Sequence, residues 1–276
     1  MTTAAHAQVP QSAHTAEPAV PAPERARADG RLNATYWRIE LVRVLHNPWM
    51  IGFSILMPIA LYLLFGAAPD YGDIRLAHGN VAGSIAANMA LFGAMMAAAN
   101  VAGSVADERG VGWNRQLRLT PLRPSAYVAT KLLNALILGL LIVAAVFGVA
   151  FATGAVLDPA RAALCVALAW FGGTALFAAF GLAAGYLFTG EAVLGVVGPL
   201  MSLFAFFGGL FIPLATLGSV MQTLARFTPM WGLREMMDDT VAGDPFDLVA
   251  LANVVLWFAV FAGVAMWRYR TVAGRE

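Results

Sequence analysis

Residues 132–156 read LLNALILGLLIVAAVFGVAFATGAV, and this stretch decides the fold class because it contains no Asp, Glu, Lys or Arg. A helix needs about 20 apolar residues to cross the hydrocarbon core of a bilayer, and the run lacks the alternation expected of a barrel strand. Comparable runs recur along the chain, which is 60% hydrophobic and 12% charged with a mean hydropathy of +0.72. The sequence therefore predicts an all-α integral membrane protein.

The apolar runs predict six transmembrane helices, at about residues 49–66, 81–106, 132–156, 162–188, 192–211 and 248–267. The second run is rich in small residues, which allow helices to approach closely, so we expect it at the centre of the bundle or at a subunit contact. Residues 213–240 are expected to form short re-entrant or interfacial outer helices, because Pro213 and Pro229 bracket only about 15 residues.

The two ends of the chain are less apolar than the spans. Residues 1–33 are rich in Ala and Pro and are expected to form a disordered cytosolic tail, with a second short tail at 271–276. Over residues 34–46, Trp37, Leu41 and Val44 share one helical face, which predicts an amphipathic helix lying in the membrane interface. The transmembrane domain is thus expected to span residues 34–270.

The distribution of basic residues predicts the orientation. With six crossings, 13 of the 17 Lys and Arg residues fall on the side that carries both termini and the loop after the second span. Cytosolic loops carry the excess of basic residues. Both termini are therefore expected in the cytosol, with the chain in the inner or plasma membrane of the cell.

The segment from Asp107 to Lys131 interrupts the apolar pattern with five basic residues: Arg109, Arg115, Arg118, Arg123 and Lys131. Each would cost about 2.5–3.5 kcal/mol at the bilayer centre, so the segment is expected in water or against another protein. Trp113 and Leu117 share a helical face, and Thr120-Pro121 ends that helix. Such a helix suits either a separate ATPase that grips it or anionic lipid heads, and physical chemistry alone does not choose between them.

Several function classes are excluded or disfavoured. The chain has a single lysine, Lys131, preceded by Thr130, so the Gly-Lys-Ser/Thr of a phosphate-binding loop is absent. The four histidines lie outside the predicted spans, which disfavours an intramembrane hydrolase or metal site. Because no ionisable residue lies in the middle of a span, an ion-coupled carrier is also disfavoured. The energy for transport is then expected to come from another protein.

Two groups of residues carry a resemblance to a known family. Glu108-Arg109, Gly112, Leu117 and Thr120-Pro121 reproduce the spacing ERxxGxxxxLxxTP, and Gly208-Gly209 precedes Pro213 and Thr228-Pro229 near the last span. This pattern resembles the permease subunits of the ABC type-2 exporter family, most closely its drug and antibiotic efflux branch. By resemblance, residues 107–125 form a cytosolic coupling elbow. Its ATPase-coupling residues are Glu108, Arg109, Gly112, Trp113, Leu117, Thr120 and Pro121.

The resemblance also implies partners and a substrate path. It implies a permease homodimer or heterodimer with separate ABC ATPase subunits, which bind ATP and Mg, so that this chain needs no cofactor or metal and is not itself an enzyme. A hydrophobic or amphipathic small molecule would pass along the second and fifth spans, past Asn88, Met95, Met96, Asn100, Met201 and Phe204, with an outer gate at Pro213 and Pro229. The alternatives are export of a lipid or lipid-linked polysaccharide, and an ion-coupled secondary carrier. Membrane lipids are expected neighbours, and nucleic acid is not.

Overall fold

The computed structural model describes residues 34–68, 71–72, 74–113, 124–190, 192–211 and 214–273. The longer elements are α1 (Ala34–Leu45), α2 (Pro48–Phe65), α3 (Val81–Gly103), α4 (Val105–Gly110), α5 (Pro124–Ala152), α6 (Pro159–Ala167), α7 (Thr174–Leu187), α8 (Ala192–Phe207), α9 (Ser219–Ala225), α10 (Pro229–Ala242) and α11 (Leu248–Ala273). A π-helical stretch, Leu168–Gly173, joins α6 to α7, and a 3₁₀ turn, Leu214–Thr216, precedes α9. The strands β1 (Arg75–Leu76) and β2 (Gly79–Asn80) form an antiparallel hairpin. The prediction of an all-α membrane protein is confirmed.

Within the described residues, five helical segments are long and apolar enough to cross a membrane: Pro48–Phe65, Val81–Gly110, Ser125–Ala152, Pro159–Leu187 and Leu248–Thr271. The predicted fifth span is the shorter helix α8, whose 16 residues cover about 24 Å. The two short helices α9 and α10 occupy most of the region predicted as outer helices. The total of six crossings stays a prediction.

The bundle has two distinct ends. We call the end that carries α1, α4 and the start of α5 the elbow end, and the end that carries the β1–β2 hairpin and α10 the hairpin end. Gly190, just before α8, lies against Gly110 at the elbow end, while Gly208, just after α8, lies against Met230 of α10. Although α8 is short, it therefore runs from the elbow end to the hairpin end.

Helix α3 lies at the centre of the bundle, packed against α2, α5 and α7. Its sequence is mostly Ala and Gly, and most of its residues are buried. The crossing with α7 is closest at Gly181, where an added Cβ would lie 2.5 Å from the backbone oxygen of Ala99. Contacts this close between backbones require small residues, as the composition of the second span predicted.

We expect Gly181→Leu to destabilise the bundle by about 3 kcal/mol, the upper end of the usual cost of overpacking, because the obstructing atom belongs to the backbone of α3. Gly148→Leu on α5 is the matched control, since no atom of the described residues lies within 4 Å of a Cβ at Gly148. Thermal unfolding in detergent would measure the difference. Equal apparent Tm values for the two variants would show that the α3–α7 contact is not tight.

The hairpin end is fastened by Asn80, which is fully buried. Its Oδ1 accepts hydrogen bonds from Gly83 N at the start of α3 and from Val156 N, both at 2.9 Å. Its Nδ2 donates to Gly154 O at 2.9 Å and to Gly72 O at 3.1 Å. One satisfied amide thus caps α3 and joins the hairpin to the segment after α5, which fixes one wall of the cavity described below.

The structure corrects the start of the third predicted span and shows a change of helix geometry inside the fourth. Helix α5 begins at Pro124, eight residues before the predicted start at Leu132, because proline suits the first turn of a helix and Ser125 to Lys131 continue it. The predicted fourth span changes from α-helical to π-helical geometry over Leu168–Gly173 and returns to α-helical geometry at Thr174. Lys131 therefore lies inside a helix and not in a loop.

Candidate functional site

The elbow end is built around the short helix α4, which continues from α3 after Ser104. Six residues are too few for a helix that is stable alone, so tertiary contacts must position it. Gly112 follows α4 with a φ of +74°, a left-handed conformation that favours glycine and turns the chain. Trp113 then lies half-buried. The predicted coupling residues Leu117, Thr120 and Pro121 lie outside the described residues.

Glu108 on α4 is buried and holds the helix to α1 and α5. Its carboxylate accepts hydrogen bonds from Lys131 Nζ at 2.6 Å, from the Arg43 guanidinium and from the Tyr127 hydroxyl. Lys131 Nζ also donates to Glu40 Oε1 at 2.5 Å and to Ser104 Oγ at 3.0 Å. Arg43 in turn donates to Glu40 Oε1 at 2.7 Å.

We call Glu40, Arg43, Glu108 and Lys131 the elbow charge cluster. Lys131 is 0% exposed, Glu40 is 3% exposed and Glu108 is 5% exposed. Two carboxylates face two cations, so the cluster is electrically neutral as a whole. Charges are buried in proteins when they are paired and hydrogen-bonded, and each buried member here has at least two partners.

The position of Lys131 corrects the expectation that it lies in water or against another protein. Its ammonium is shielded by other parts of this same chain. The sequence alone does not reveal this pairing, because the nearest carboxylate along the chain is Glu108, 23 residues away, and Glu40 is 91 residues away. The spacing of Tyr127 and Lys131, four residues apart on α5, was the one local signal of a shared face.

Charges from α1 complete this site. Burial lowers the pKa of Arg43, but its hydrogen bonds to Glu108 and Glu40 raise the pKa more, so Arg43 stays protonated. Burial also raises the pKa of the Tyr36 hydroxyl, and the nearby carboxylates of Glu40 and Glu108 add to this shift. The amphipathic helix α1 therefore supplies one anion and one cation to the cluster, a role that its apolar face did not indicate.

Arg109 holds α4 to a different helix. Its Nη1 donates to Gly185 O at 2.9 Å and to Tyr186 O at 3.1 Å, and its guanidinium lies 5.7 Å from the centre of the Tyr186 ring. A cation near the last carbonyls of α7 is also favoured by the helix dipole. Adjacent residues thus point in different directions: Glu108 binds α1 and α5, and Arg109 binds α7. A displacement of α4 would therefore also displace α1, α5 and α7.

A second site lies at the hairpin end. A cavity of about 600 Å³ is enclosed by the end of α2, the hairpin, the first turns of α3, residues 209–211 and α10. We call it the hairpin-end cavity. Its wall is largely apolar, with Phe65, Met89 and Phe211 among its residues, and the charged residues that line it within the described part of the chain are Arg234 and Asp238 of α10. Neither was predicted as a site residue from the sequence, although their separation of four residues suits a helical ion pair.

The charged side of the cavity is a network on α10 and α3. Arg234 Nη2 donates to Asp238, and Arg234 Nη1 lies 3.5 Å from Glu235 Oε2. Burial raises the pKa of Asp238 to about 6, while Arg234 and the amide of Asn88 act in the opposite direction. Because Asp238 ionises less readily in the folded chain than in water, its contribution to stability falls as pH rises from about 4 to 6. At neutral pH the ionised Asp238 therefore lowers the free energy of unfolding.

The residues predicted to line a substrate pathway lie in three different environments. Asn88 lines the hairpin-end cavity and is 8% exposed. Met95 and Met201 are buried in the core, and Phe204 packs 5.6 Å from Phe180 between ring centroids. Met96 and Asn100 are half-buried. Of the two predicted gate residues, Pro229 is the buried first residue of α10, and Pro213 lies outside the described residues.

The fold and the elbow together define a multi-pass membrane protein with a short helix wedged between its spans at one end. Residues 75–268 match the family described as ABC-2 family transporter protein, which covers most of the chain. The chain belongs to this family. It is also 26% identical over 196 residues to a protein of Bacillus subtilis (strain 168) that is named as a transport permease, YvfS, across 70% of this chain and 78% of that protein.

Membership of the family fixes the broad role. The chain is a membrane subunit of an ABC transporter, and the family implies that it pairs with a separate ABC ATPase subunit. An ion-coupled carrier is therefore set aside.

Proposed function

We propose that this chain is the permease of an ATP-driven exporter that moves a hydrophobic or amphipathic small molecule, of the drug or antibiotic type, out of the cell. The observation that carries this proposal is the position of α4, which Glu108 and Arg109 fasten to three helices at once. A partner that pushes on this short helix would move the bundle. The exposed side chain of Val111, which follows α4, marks the surface that such a partner would meet.

In this proposal the ATPase docks at the elbow end, against α4, Trp113 and the segment that follows. The elbow end faces the cytosol, because Arg38 and Arg43 of α1 and Arg109 of α4 lie there and the cytosolic side carries the excess of basic residues. The chain crosses the inner or plasma membrane six times, with α8 as the fifth crossing. Two permease chains, identical or different, assemble with two ATPase subunits. ATP and Mg bind to the ATPase subunits.

The hairpin-end cavity lies at the opposite end and would open toward the outside. Its volume falls within the range of about 300–1,000 Å³ typical of small-molecule sites. Aromatic and methionine side chains provide an adaptable apolar wall. A molecule that leaves the bundle near α8 would pass this cavity, which is why we assign it to the exit side of the pathway.

Export can be tested in inside-out membrane vesicles that contain the permease with its ATPase subunit. The probes are monodansylcadaverine, a fluorescent alkylamine, and its neutral N-acetyl derivative. We expect ATP to drive accumulation of at least one probe, by at least about fivefold over vesicles without the permease, and a non-hydrolysable ATP analogue to give none. Ionophores that collapse proton and sodium gradients should not change the result. Accumulation of a fluorescent phospholipid alone would instead support the lipid-export alternative.

A further inference from the structure

The hairpin-end cavity combines an apolar wall with a carboxylate that is partly exposed to it. Arg234 and Asp238 form an ion pair, but their side chains are not equally accessible: that of Arg234 is 12% exposed and that of Asp238 is 31% exposed. A molecule in the cavity therefore meets the anion of the pair more readily than the cation. The surrounding helix adds to this asymmetry, because α10 carries one arginine and three carboxylates.

Asn88, whose side chain is hydrogen-bonded to Asp238, gives a second sign of a ligand. Its side chain lines the cavity beside Asp238, and Oδ1 has no hydrogen-bond partner among the described residues. Buried polar atoms are nearly always paired, and an unpaired one needs an explanation. An amide oxygen and a carboxylate are both acceptors. A protonated amine can donate N–H hydrogen bonds to both, and its positive charge suits the carboxylate.

The rest of the wall suits the body of such a molecule. Phe65, Tyr71 and Phe211 contribute aromatic rings, and Met89 contributes a polarisable side chain. Aromatic faces attract ammonium groups, even at exposed positions. An inorganic cation would gain little from such a wall, because its preferred ligands are several oxygens. The wall selects for an organic ion.

From these observations we propose that the hairpin-end cavity binds an organic ammonium ion, a protonated amine attached to an apolar body, with Asp238 as its counter-ion and Asn88 as a neighbouring acceptor. The proposal names the substrate class of the exit-side site, and in that respect it rests on the proposed export function. Binding itself requires neither ATP nor the ATPase subunit, so the two can be tested separately.

The test uses the purified full-length chain in detergent micelles or nanodiscs at pH 8. Monodansylcadaverine carries a primary amine that is protonated at this pH, because alkylamines of the lysine type have a pKa of about 10. Its N-acetyl derivative keeps the dansyl ring and the alkyl chain but has no charge. Fluorescence anisotropy titrations give Kd for both. We expect the native chain to bind the amine at least about 10-fold more tightly than the acetylated probe.

Variants then assign this preference to Asp238. Asp238→Asn should abolish the preference, and Asp238→Glu should retain it to within about threefold because the negative charge stays. We expect Asp238→Asn to fold for two reasons. Arg234 still has Glu235 within 3.5 Å as a partner, and the ionised Asp238 carboxylate lowers the stability of the native fold at neutral pH. The matched control is Asp244→Asn, an exposed acid just after α10 that does not line the cavity; it should leave both Kd values unchanged.

A second variant keeps the test decisive if Asp238→Asn does not fold. Ala242 lines the cavity near the end of α10, and Ala242→Trp should weaken binding of the amine at least about 10-fold by filling the space. Equal affinity of the native chain for the two probes, or a preference that survives in Asp238→Asn, would overturn the proposal. If vesicles accumulate the neutral probe and the native chain binds both probes with equal affinity, the export function would be supported and the cation site would be contradicted.

Discussion

Replacing Lys131 with Met is expected to lower the free energy of unfolding by about 3–5 kcal/mol, the usual cost of removing one partner from a buried ion pair. Lys131 is fully buried and donates hydrogen bonds to Glu40, Glu108 and Ser104. Methionine fits the same space but supplies no charge. Two carboxylates would then share the single cation Arg43, whose side chain is half exposed.

The apparent Tm in detergent is the measurement, and the expected fall is on the order of 10 °C for a chain of this size. A double variant separates lost charge from lost packing. In Lys131→Met with Glu40→Gln, one cation and one anion are removed and the remaining pair, Arg43 and Glu108, is neutral. We expect this double variant to recover at least half of the lost stability, as coupling between contacting residues requires.

If Lys131→Met keeps the native Tm, Glu40 and Glu108 do not need Lys131 as a counter-ion, and the prediction is wrong. Gly148→Leu, on the exposed side of the same helix, serves as a control for substitutions in α5 that touch no other residue. It should leave the Tm within a few degrees of the native value.

This expectation shows where sequence reasoning succeeded and where it failed. Apolar length and composition are enough to locate membrane helices, because the cost of a charge in hydrocarbon acts on each residue separately. The starts of α2, α3 and α11 lie within one residue of the predictions. The start of α5 was missed because polar residues can continue a helix beyond the apolar run, as Ser125 and Lys131 do.

The partners within each site could not be predicted for a different reason. Glu40 and Lys131 lie 91 residues apart along the chain, and Asn88 and Asp238 lie still further apart. Only the packing of α1 on α5, and of α10 on α3, brings them together. Local spacing could have indicated the pairs Tyr127–Lys131 and Arg234–Asp238, since residues four apart share a helix face. It could not have shown that these faces point inward.

The residues of the elbow were predicted from the sequence, but their contacts were not. The motif residues Glu108, Arg109 and Gly112 were recognised from the sequence, but a motif does not say what its residues contact. The structure shows that Glu108 is buried within this chain, so replacing it would test stability as well as coupling. Arg109 is the better probe of coupling, because the elbow charge cluster does not include it and its partners are backbone carbonyls.

Replacing Arg109 with Lys is expected to uncouple ATP hydrolysis from export. One nitrogen of the guanidinium donates to both Gly185 O and Tyr186 O, and the flat group lies near the Tyr186 ring. Lysine keeps the positive charge but cannot reproduce this planar arrangement. Helix α4 would remain bound to α1 and α5 through Glu108, and Val105 would still pack against Gly185, while the side-chain contact of Arg109 with α7 is weakened. Movement at the elbow would then reach only part of the bundle.

The measurement is the ratio of probe accumulation to ATP hydrolysis in inside-out vesicles that contain the permease and its ATPase. We expect Arg109→Lys to lower this ratio at least about 10-fold while hydrolysis changes by less than about threefold. Arg75→Lys, at an exposed position of the hairpin, is the matched control and should keep the native ratio. A proportional loss of transport and hydrolysis would assign Arg109 to docking of the ATPase. An unchanged ratio would contradict transmission through α7, because the native contact joins α4 to the last turn of that helix.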